Sequence, residues 1–240
     1  MIIPDWPAPK HIKAMCTTRF GGVSKPPFNS NNLALHVNDN VDDVNANRLA
    51  LRELLPTNPV WLNQQHTTDV LTLDEKSAAK AVSIADASET SVRKVVCCVM
   101  TADCLPILLT DQYGEQVAAI HAGWRGMADG IIEKTLESFN ARTSQIYAWL
   151  GPAISQKHFE VGQDVFDAFC HHCPTDKLHF TPVKGKYYAN LYQLAIARLT
   201  RCGVNDISGG EYCTFEQSDL FFSFRREGVT GRMASVIWIE

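Results

Sequence analysis

Residues 95–122 constrain the fold of this 240-residue chain most strongly, because three apolar runs alternate there with two short polar turns. The runs VVCCVM, LPILLT and QVAAIH have the length and the β-branched content of buried strands. The segment DQYGE, between the second and third runs, has the length and the glycine of a hairpin loop. If Thr110 pairs with Gln116 across this loop, Cys104 and His121 meet at the open end of the hairpin.

The rest of the chain mixes helical and strand patterns without an internal repeat. Residues 39–55 start with Asp and Asn caps and then show helical spacing up to Pro56. Short strands are expected at 60–63 and 70–73, which places His66 in the polar turn between them. Further expected elements are a glycine-rich turn (AGWRGMADG), helices at 130–139, 163–173 and 188–202, and strands at IYAWL, FFSFRR and MASVIWI. The pattern predicts a single α+β domain over residues 1–240.

Composition and charge exclude several classes of protein. With 45% hydrophobic and 20% charged residues, neither a disordered nor a fibrous chain is expected. A net charge of -4 gives no global reason to bind nucleic acid or an anionic membrane. The longest apolar runs fall far short of the roughly 20 residues of a membrane-spanning helix.

The proline-rich N-terminus does not fit a signal peptide. The eight cysteines are therefore expected to stay reduced in the cytoplasm.

His66, Cys104 and His121 are the candidate metal ligands. A catalytic zinc site uses three Cys or His ligands and leaves a fourth position for water or substrate. The hairpin supports the Cys104–His121 pair, whereas His66 enters only through its polar surroundings. From pattern alone, Cys104 could equally be a small buried apolar residue and His121 a satisfied histidine at a strand end. Asp103 is expected to be a turn residue, with a hydrogen bond to a metal ligand as the functional alternative.

Several motifs spread over nearly the whole chain carry a family resemblance. They are TTRFGGVS at 17–24, NR at 47–48, NQQH at 63–66, MTADCLPILL at 100–109, AAIHAGWRGMADGII at 118–132, LGPAI at 150–154, FEVG at 159–162, and FFSFRR followed by TGRMASVIWI. With these motifs the chain resembles the YfiH-type laccase-domain proteins. The combination of TADC with HAGWRG is the most specific part of the match.

The resemblance implies a fold, a metal site and an activity. The fold would be four-layered, α/β/β/α, with mixed β-sheets in the middle and helices outside. His66, Cys104 and His121 would be both the zinc ligands and the catalytic residues. The activity would be phosphorolysis of adenosine, inosine, guanosine or methylthioadenosine to the free base and ribose 1-phosphate, together with adenosine deamination. An older family label, copper polyphenol oxidase, makes copper the alternative metal. Purine nucleosides and phosphate would then be the partners, and no oligomeric state follows.

Two segments depart from the family pattern. Thr67 replaces the glycine that usually follows the motif histidine, and Asn31-Asn32-Leu33-Ala34 replaces the usual approach to the N-terminal Asn-Leu-Gly. Both departures bear on loop shape, and hence on substrate preference, rather than on the identity of the ligands.

Phosphorolysis needs a cation for phosphate and a surface for the purine. A guanidinium fork matches phosphate oxygens and stays charged, so Arg48 and one or both of Arg225 and Arg226 are predicted to contact phosphate, with ordinary ion pairing as the alternative. Arg125 is expected to brace the glycine turn. An aromatic stack for the base could come from Phe221, Phe222 or Phe224, although alternating aromatic residues on a strand are more often core.

Three other readings remain open. A metal-free cysteine hydrolase would use Cys104 as the nucleophile and His121 as the base. A copper oxidase is less well matched, because the histidines are not clustered in His-x-His pairs. A binding protein with structural zinc would need a fourth ligand. The neighbours His171, His172 and Cys173 point in different directions on a helix and cannot share one ion.

Overall fold

The computed structural model describes residues 1–240, which form twelve strands and six α-helices. The strands are β1 Ile12–Cys16, β2 Val70–Thr72, β3 Ala87–Thr90, β4 Cys97–Thr101, β5 Leu105–Asp111, β6 Val117–Ala122, β7 Ile146–Leu150, β8 Glu160–Val161, β9 Phe180–Val183, β10 Lys186–Ala189, β11 Asp206–Gly209 and β12 Met233–Ile239. The helices are α1 Val41–Arg52, α2 Trp124–Asp129, α3 Ile131–Glu137, α4 Gln163–His172, α5 Leu191–Arg201 and α6 Phe224–Glu227. Short 3₁₀ turns lie at Ser77–Ala79, Thr143–Gln145, Gln156–His158 and Pro174–His179.

The strands form three sheets. The largest has six strands in the order β11-β7-β5-β6-β3-β2 and is mixed, because β11 and β2 pair in parallel with their neighbours while the inner strands are antiparallel. An antiparallel sheet has the order β1-β12-β4, and a small one has the order β8-β10-β9. No helix of the structure is long and apolar enough to cross a membrane.

Alternating side chains of the two main sheets build the layers. On β5, Ile107 packs with helices α2 to α5 in the largest core cluster, whereas the next residue, Leu108, packs against β1, β4 and β12. On β4, Cys98 faces away from the six-stranded sheet and shares a third cluster with Leu51 of α1. The order of layers is therefore helix, three-stranded sheet, six-stranded sheet, helices, which confirms the α+β fold with the α/β/β/α arrangement.

The hairpin of β5 and β6 forms one residue out of the predicted register. Thr110 pairs with Val117 instead of Gln116, and Pro106 lies opposite His121. The cause is Asp111, whose carboxylate accepts hydrogen bonds from the backbone N–H groups of the loop, those of Tyr113, Glu115 and Gln116. This side-chain cap extends β5 to Asp111, and Cys104 comes to lie just outside the last pair rather than within it.

The helix predicted at 39–55 is confirmed, with bounds Val41–Arg52. Its N-cap is Asn40, whose side chain accepts hydrogen bonds from the N–H groups of Asp42 and Asp43. The helix predicted at 188–202 starts later, at Leu191, because Lys186–Ala189 pairs as β10 instead. The strand predicted at 60–63 is reduced to two isolated bridges, at Val60 and Asn63.

Two further expectations are wrong. The segment AGWRGMADG is not a turn: residues Trp124–Asp129 form α2, and only Gly130, with φ of 99°, breaks the chain before α3. The segment FFSFRR is not a strand. The neighbours Phe221 and Phe222 are both buried, whereas neighbours on a strand point to opposite faces, and α6 begins at Phe224. In both cases helices too short for a clear 3.6-residue period determine the local structure.

Candidate active site

Three separate segments bring His66, Cys104 and His121 together. His66 lies in the loop before β2, Cys104 in the turn between β4 and β5, and His121 near the end of β6. One ligand atom from each side chain, two imidazole nitrogens and the Cys104 sulfur, lie within 4.8 Å of one another. The two imidazole ring centroids are also 4.8 Å apart, with the planes tilted by 58°.

The surroundings of these three side chains fit a metal ion. The Nδ1 atom of His66 is buried and has no hydrogen-bond partner in the protein. Gly123 gives the ligands their space, because a Cβ there would lie 2.3 Å from His66 Nδ1 and 3.2 Å from the Cys104 sulfur. Two imidazoles and one thiol are a donor set typical of zinc, with one coordination position left for water or substrate.

Asp86, just before β3, fixes the orientation of His121. Its carboxylate is fully buried, and Oδ1 accepts a hydrogen bond from His121 Nδ1 at 2.7 Å. The backbone N–H of His121 also donates to the Asp86 carbonyl oxygen, at 2.7 Å. With the proton on Nδ1, the Nε2 lone pair of His121 is free to bind a metal.

The same carboxylate holds the loop that carries His66. It accepts hydrogen bonds from the backbone N–H groups of Gln65, His66 and Thr67, at distances between 2.7 and 3.1 Å, and from the Thr67 hydroxyl at 2.9 Å. His66 itself has a φ of 60°, a left-handed conformation that non-glycine residues rarely adopt. One buried carboxylate therefore positions both histidines.

Burial and the neighbouring charges act against each other on the pKa values of Asp86 and His121. Burial opposes ionisation of Asp86, but the hydrogen bonds from His121 and the loop lower its pKa to about 2. Burial likewise opposes the charged form of His121, yet the Cys104 sulfur and the Asp86 carboxylate raise its pKa to about 9. The pKa of His66 is lowered by burial and by the neighbouring His121.

Asp103 is a turn residue that ties the site to α6. It has a φ of 88°, and its carboxylate accepts hydrogen bonds from the Thr214 hydroxyl and from the backbone N–H of Arg225, both at 2.6 Å. It makes no hydrogen bond to His66, Cys104 or His121, so its contact is with the supporting elements rather than with a ligand.

The three ligands open into a cavity of about 270 Å³. Of the phenylalanines considered for base stacking, Phe221 and Phe222 are core residues with no exposed surface, whereas Phe224 lines the cavity and is 57% exposed. The cavity is lined by His36, Gln64, His66, Met100, Thr101, Ala102, Cys104, His121, Phe224 and Arg232.

The arginines predicted to bind phosphate do not line this cavity. Arg48 donates from Nε to the Leu33 carbonyl at 2.8 Å and stacks on Trp61, with its Cζ 3.9 Å from the ring centroid. Arg225 and Arg226 direct their guanidinium groups to backbone carbonyls, and Arg226 also forms an ion pair with Glu227 at 3.1 Å. Arg125 is exposed and lies over the ring of Trp124.

Sequence reasoning missed three residues of the site: Asp86, His36 and Arg232. Arg232 stands in the TGRMASVIWI motif, directly before β12, so its position within that motif was the available signal. Nothing in the local pattern around Asp86 or His36 pointed to the site.

A second group of ligand-type side chains lies elsewhere, formed by His158, Cys213 and Glu216. One carboxylate oxygen of Glu216 already accepts hydrogen bonds from Lys157 at 2.7 Å and from His158 at 2.9 Å. The arrangement is that of a partly exposed ion pair.

Comparison with known proteins defines the family. Residues 13–240 match the family described as multi-copper polyphenol oxidoreductase laccase, and the chain belongs to that family. A protein of Haemophilus influenzae named purine nucleoside phosphorylase is 49% identical over 100% of this chain and 99% of its own length. Purine nucleoside phosphorylase YfiH of Escherichia coli K12 is 48% identical over 100% of this chain and 98% of its own length, which confirms the YfiH resemblance.

The fold agrees with a solved structure of the same family. The crystal structure of a Neisseria meningitidis protein superposes with a TM-score of 0.96 at 46% sequence identity, covering 100% of this chain and 98% of the other. The four-layer arrangement of sheets and helices is therefore the fold of the family.

Proposed function

We propose that this chain is a zinc-dependent purine nucleoside phosphorylase whose metal is held by His66, Cys104 and His121. The observation that carries the proposal is the convergence of these three side chains on a cavity lined by an exposed aromatic ring, that of Phe224. The full-length relatives named purine nucleoside phosphorylase support the reaction class. The substrates proposed are adenosine, inosine, guanosine and methylthioadenosine, with adenosine deamination as a second activity.

The chain's own residues would bind and orient the nucleoside. When bound, zinc supplies a Lewis acid and lowers the pKa of a coordinated water. Phe224 offers a face on which a purine can stack. The Asp86 carboxylate holds a proton on His121 Nδ1, so Nε2 is the nitrogen that would bind the metal, and the hydrogen bond fixes the orientation of the ring. Gln64 lines the cavity, but both ends of its side-chain amide are already engaged by the backbone of Met100.

A metal-free Cys–His hydrolase is the second candidate. The observation that favours it is the position of His121 beside Cys104, with their ligand atoms within 4.8 Å of each other; the pKa of His121 is raised to about 9, and an imidazolium would stabilise a thiolate nucleophile. Such a pair needs no metal, so activity that survives exhaustive chelation would support it. Metal analysis of the purified protein also distinguishes zinc from the copper suggested by the family description.

The decisive experiment measures release of adenine or hypoxanthine from adenosine and inosine, with and without phosphate, in protein of known zinc content. We expect phosphate-dependent release by the wild-type protein and none above background by Cys104→Ala. Cys202→Ala is the matched control, because this half-buried thiol lies at the end of α5, outside the cavity, and should leave activity unchanged. No base release from zinc-loaded wild-type protein would refute the phosphorylase proposal.

The cytoplasm is the proposed compartment, and small molecules are the proposed partners. All eight cysteines are free thiols, which is compatible with a reducing environment. Localisation of a tagged protein by cell fractionation would test the compartment.

A further inference from the structure

One cation in the cavity has no acidic partner. Arg232 forms no salt bridge, and its guanidinium makes hydrogen bonds only from Nη1, to the carbonyl oxygens of Thr230 at 2.9 Å and Gly231 at 3.0 Å. Its Nε and Nη2 atoms are free of protein partners. Because a half-buried charge without a counterion is unfavourable, the edge formed by these two nitrogens is suited to an anionic ligand.

The backbone presents this arginine in a fixed position. The Arg232 N–H donates to the side-chain oxygen of Asn32 at 3.0 Å, and the Arg232 carbonyl accepts from the N–H of Leu33. A Cβ on Gly231 would lie 2.7 Å from the ring of Phe222 and 2.9 Å from the Asn32 Cβ, so only glycine allows this close approach. Asn32 therefore joins Arg232, directly before β12, to the loop that leads to His36.

The carboxylate that acts on Arg232 is that of Asp103, which lies outside the cavity lining and is already hydrogen-bonded to Thr214 and to the backbone of Arg225. None of the cavity-lining residues is an aspartate or a glutamate. His36 also lines the cavity, and its pKa lies below the ordinary value because of partial burial and the nearby charges of Arg232 and Arg48. Arg48 has no carboxylate partner either, since its guanidinium contacts a carbonyl and the ring of Trp61. An anion entering the cavity thus meets Arg232 and the imidazole of His36, with the unpaired charge of Arg48 close to His36 but outside the cavity lining.

We propose that Arg232, supported by His36 and Arg48, forms the binding site for inorganic phosphate, the second substrate. This inference rests on the proposed function and names the residue that serves it. The free edge of the guanidinium matches two phosphate oxygens in a paired geometry. The Cζ of Arg232 lies 5.8 Å from the ring centroid of Phe224, so a phosphate on this arginine and a purine on that ring would share one cavity.

The reaction then balances without another reactant. An oxygen of hydrogen phosphate forms a bond to C1′ of the ribose while the bond from C1′ to purine N9 breaks. The electron pair of that bond stays on the purine, which takes the proton carried by the phosphate. The products are ribose 1-phosphate and the free base.

Two ligands could supply the same phosphate chemistry: inorganic phosphate or the 5′-phosphate of a nucleotide. The test therefore titrates zinc-loaded protein with inorganic phosphate and, separately, with adenosine 5′-monophosphate, using calorimetry. Wild type is compared with Arg232→Gln, Arg232→Lys and the matched control Arg142→Gln, an exposed arginine without side-chain hydrogen bonds or ion pairs.

We expect Arg232→Gln to raise the Kd of inorganic phosphate by about 10- to 100-fold, the effect of losing charge-assisted hydrogen bonds. Arg232→Lys, which keeps the charge but not the fork, should fall between wild type and Arg232→Gln, while Arg142→Gln should match wild type. Zinc content and the unfolding midpoint verify each fold, and Arg232→Lys provides the measurement if the glutamine variant is unfolded. An unchanged Kd in folded, zinc-loaded variants would overturn the proposal, as would a loss confined to adenosine 5′-monophosphate.

Kinetics separate failure of this inference from failure of the proposed function. Arg232→Gln should raise the KM for phosphate while leaving the Kd of inosine unchanged. Phosphate-dependent base release with an unchanged KM for phosphate in Arg232→Gln would refute the site and leave the phosphorylase standing. Phosphate binding that depends on Arg232, in a protein that releases no base, would refute the phosphorylase and leave an anion site.

Discussion

At the scale of single residues, the site depends on one carboxylate that touches no substrate. The Asp86 carboxylate accepts five hydrogen bonds, one from the His121 ring and four from residues 65–67, and thereby fixes two of the three proposed ligands. Satisfying so many donors with one buried group stabilises the loop geometry, including the left-handed backbone of His66. Asp86 is accordingly a positioning residue.

Asp86→Asn should weaken metal binding about 10- to 100-fold, because the amide cannot accept on both sides and no longer holds the His121 tautomer. The free energy of unfolding should fall by about 3 kcal/mol, since buried donors lose a charged acceptor. Competition with a chromophoric chelator measures the affinity, and urea unfolding measures the stability. Asp69→Asn, at an exposed carboxylate in the same loop, is the control. Wild-type affinity in Asp86→Asn would contradict the role assigned to Asp86.

Thr67 contributes a side-chain hydroxyl to the support of the His66 loop. Its hydroxyl donates to Asp86 at 2.9 Å and accepts from the N–H of Asp69 at 3.2 Å. Thr67→Gly, which removes the hydroxyl, should weaken metal binding by a factor of about 3 to 10, the worth of one hydrogen bond. Thr67→Ser keeps the hydroxyl and should bind like wild type, as measured by the same competition. Equal weakening in both variants would show that the hydroxyl is not responsible.

At the scale of elements, Gly126 and Gly130 are required for different structural reasons, one for close packing and the other for backbone conformation. Gly130 has a φ of 99° and free space for a Cβ, with the nearest atom 3.7 Å away. Gly126 lies inside α2, and a Cβ there would approach the Thr67 carbonyl oxygen to 2.9 Å. The first glycine therefore serves backbone conformation, and the second allows the helix to contact the loop of His66.

Gly130→Ala should lower the free energy of unfolding by about 1–2 kcal/mol, the cost of a left-handed alanine, without changing metal affinity. Gly126→Ala should weaken metal binding, because Thr67 must shift, even though alanine favours the helix. Thermal unfolding and chelator competition on both variants test this pair of expectations. Metal affinity that falls in Gly130→Ala but not in Gly126→Ala would reverse the assignment.

The sequence predicted those elements whose signals are local. The cap at Asn40 and the alternation in β4 to β6 are readable because neighbouring residues determine them. The side-chain cap at Asp111 shifted the hairpin by one residue, which periodicity cannot show. The short helix α6 was missed because four residues show no helical period, and beside its local cap at Ser223 its first turn is held by Asp103, more than half of the chain away.

Local signals likewise predicted some site residues, whereas those that depend on long-range contacts were missed. Cys104 and His121 were brought together by a hairpin that the sequence displays. Asp86 reaches His121 only because β3 pairs with β6, in the register Ala87 with Ile120, and no local pattern encodes that pairing. Arg232 reaches the cavity through the pairing of β12 with β4. Long-range strand pairing therefore limited prediction of Asp86 and Arg232.

At the scale of the whole molecule, the proposed metal joins parts of the chain that the fold brings close without a covalent link. Its three ligands come from the loop before β2, the turn between β4 and β5, and the end of β6. A ligand that binds the folded state alone adds stability by mass action, about 2.7 kcal/mol at a free concentration of 100 Kd. For a domain of this size, each 1 kcal/mol raises the unfolding midpoint by about 2–4 °C.

Removing zinc should therefore lower the unfolding midpoint of the wild-type protein by about 5–10 °C, when the comparison is with zinc held at 100 Kd. Scanning calorimetry of the chelator-treated and zinc-loaded protein measures the shift. Cys104→Ala should respond less to added zinc, because two imidazoles bind the ion more weakly than two imidazoles and a thiolate. A midpoint independent of zinc in the wild-type protein would mean that the three side chains do not hold the ion in the folded state, and the Cys104–His121 pair would then have to act without it.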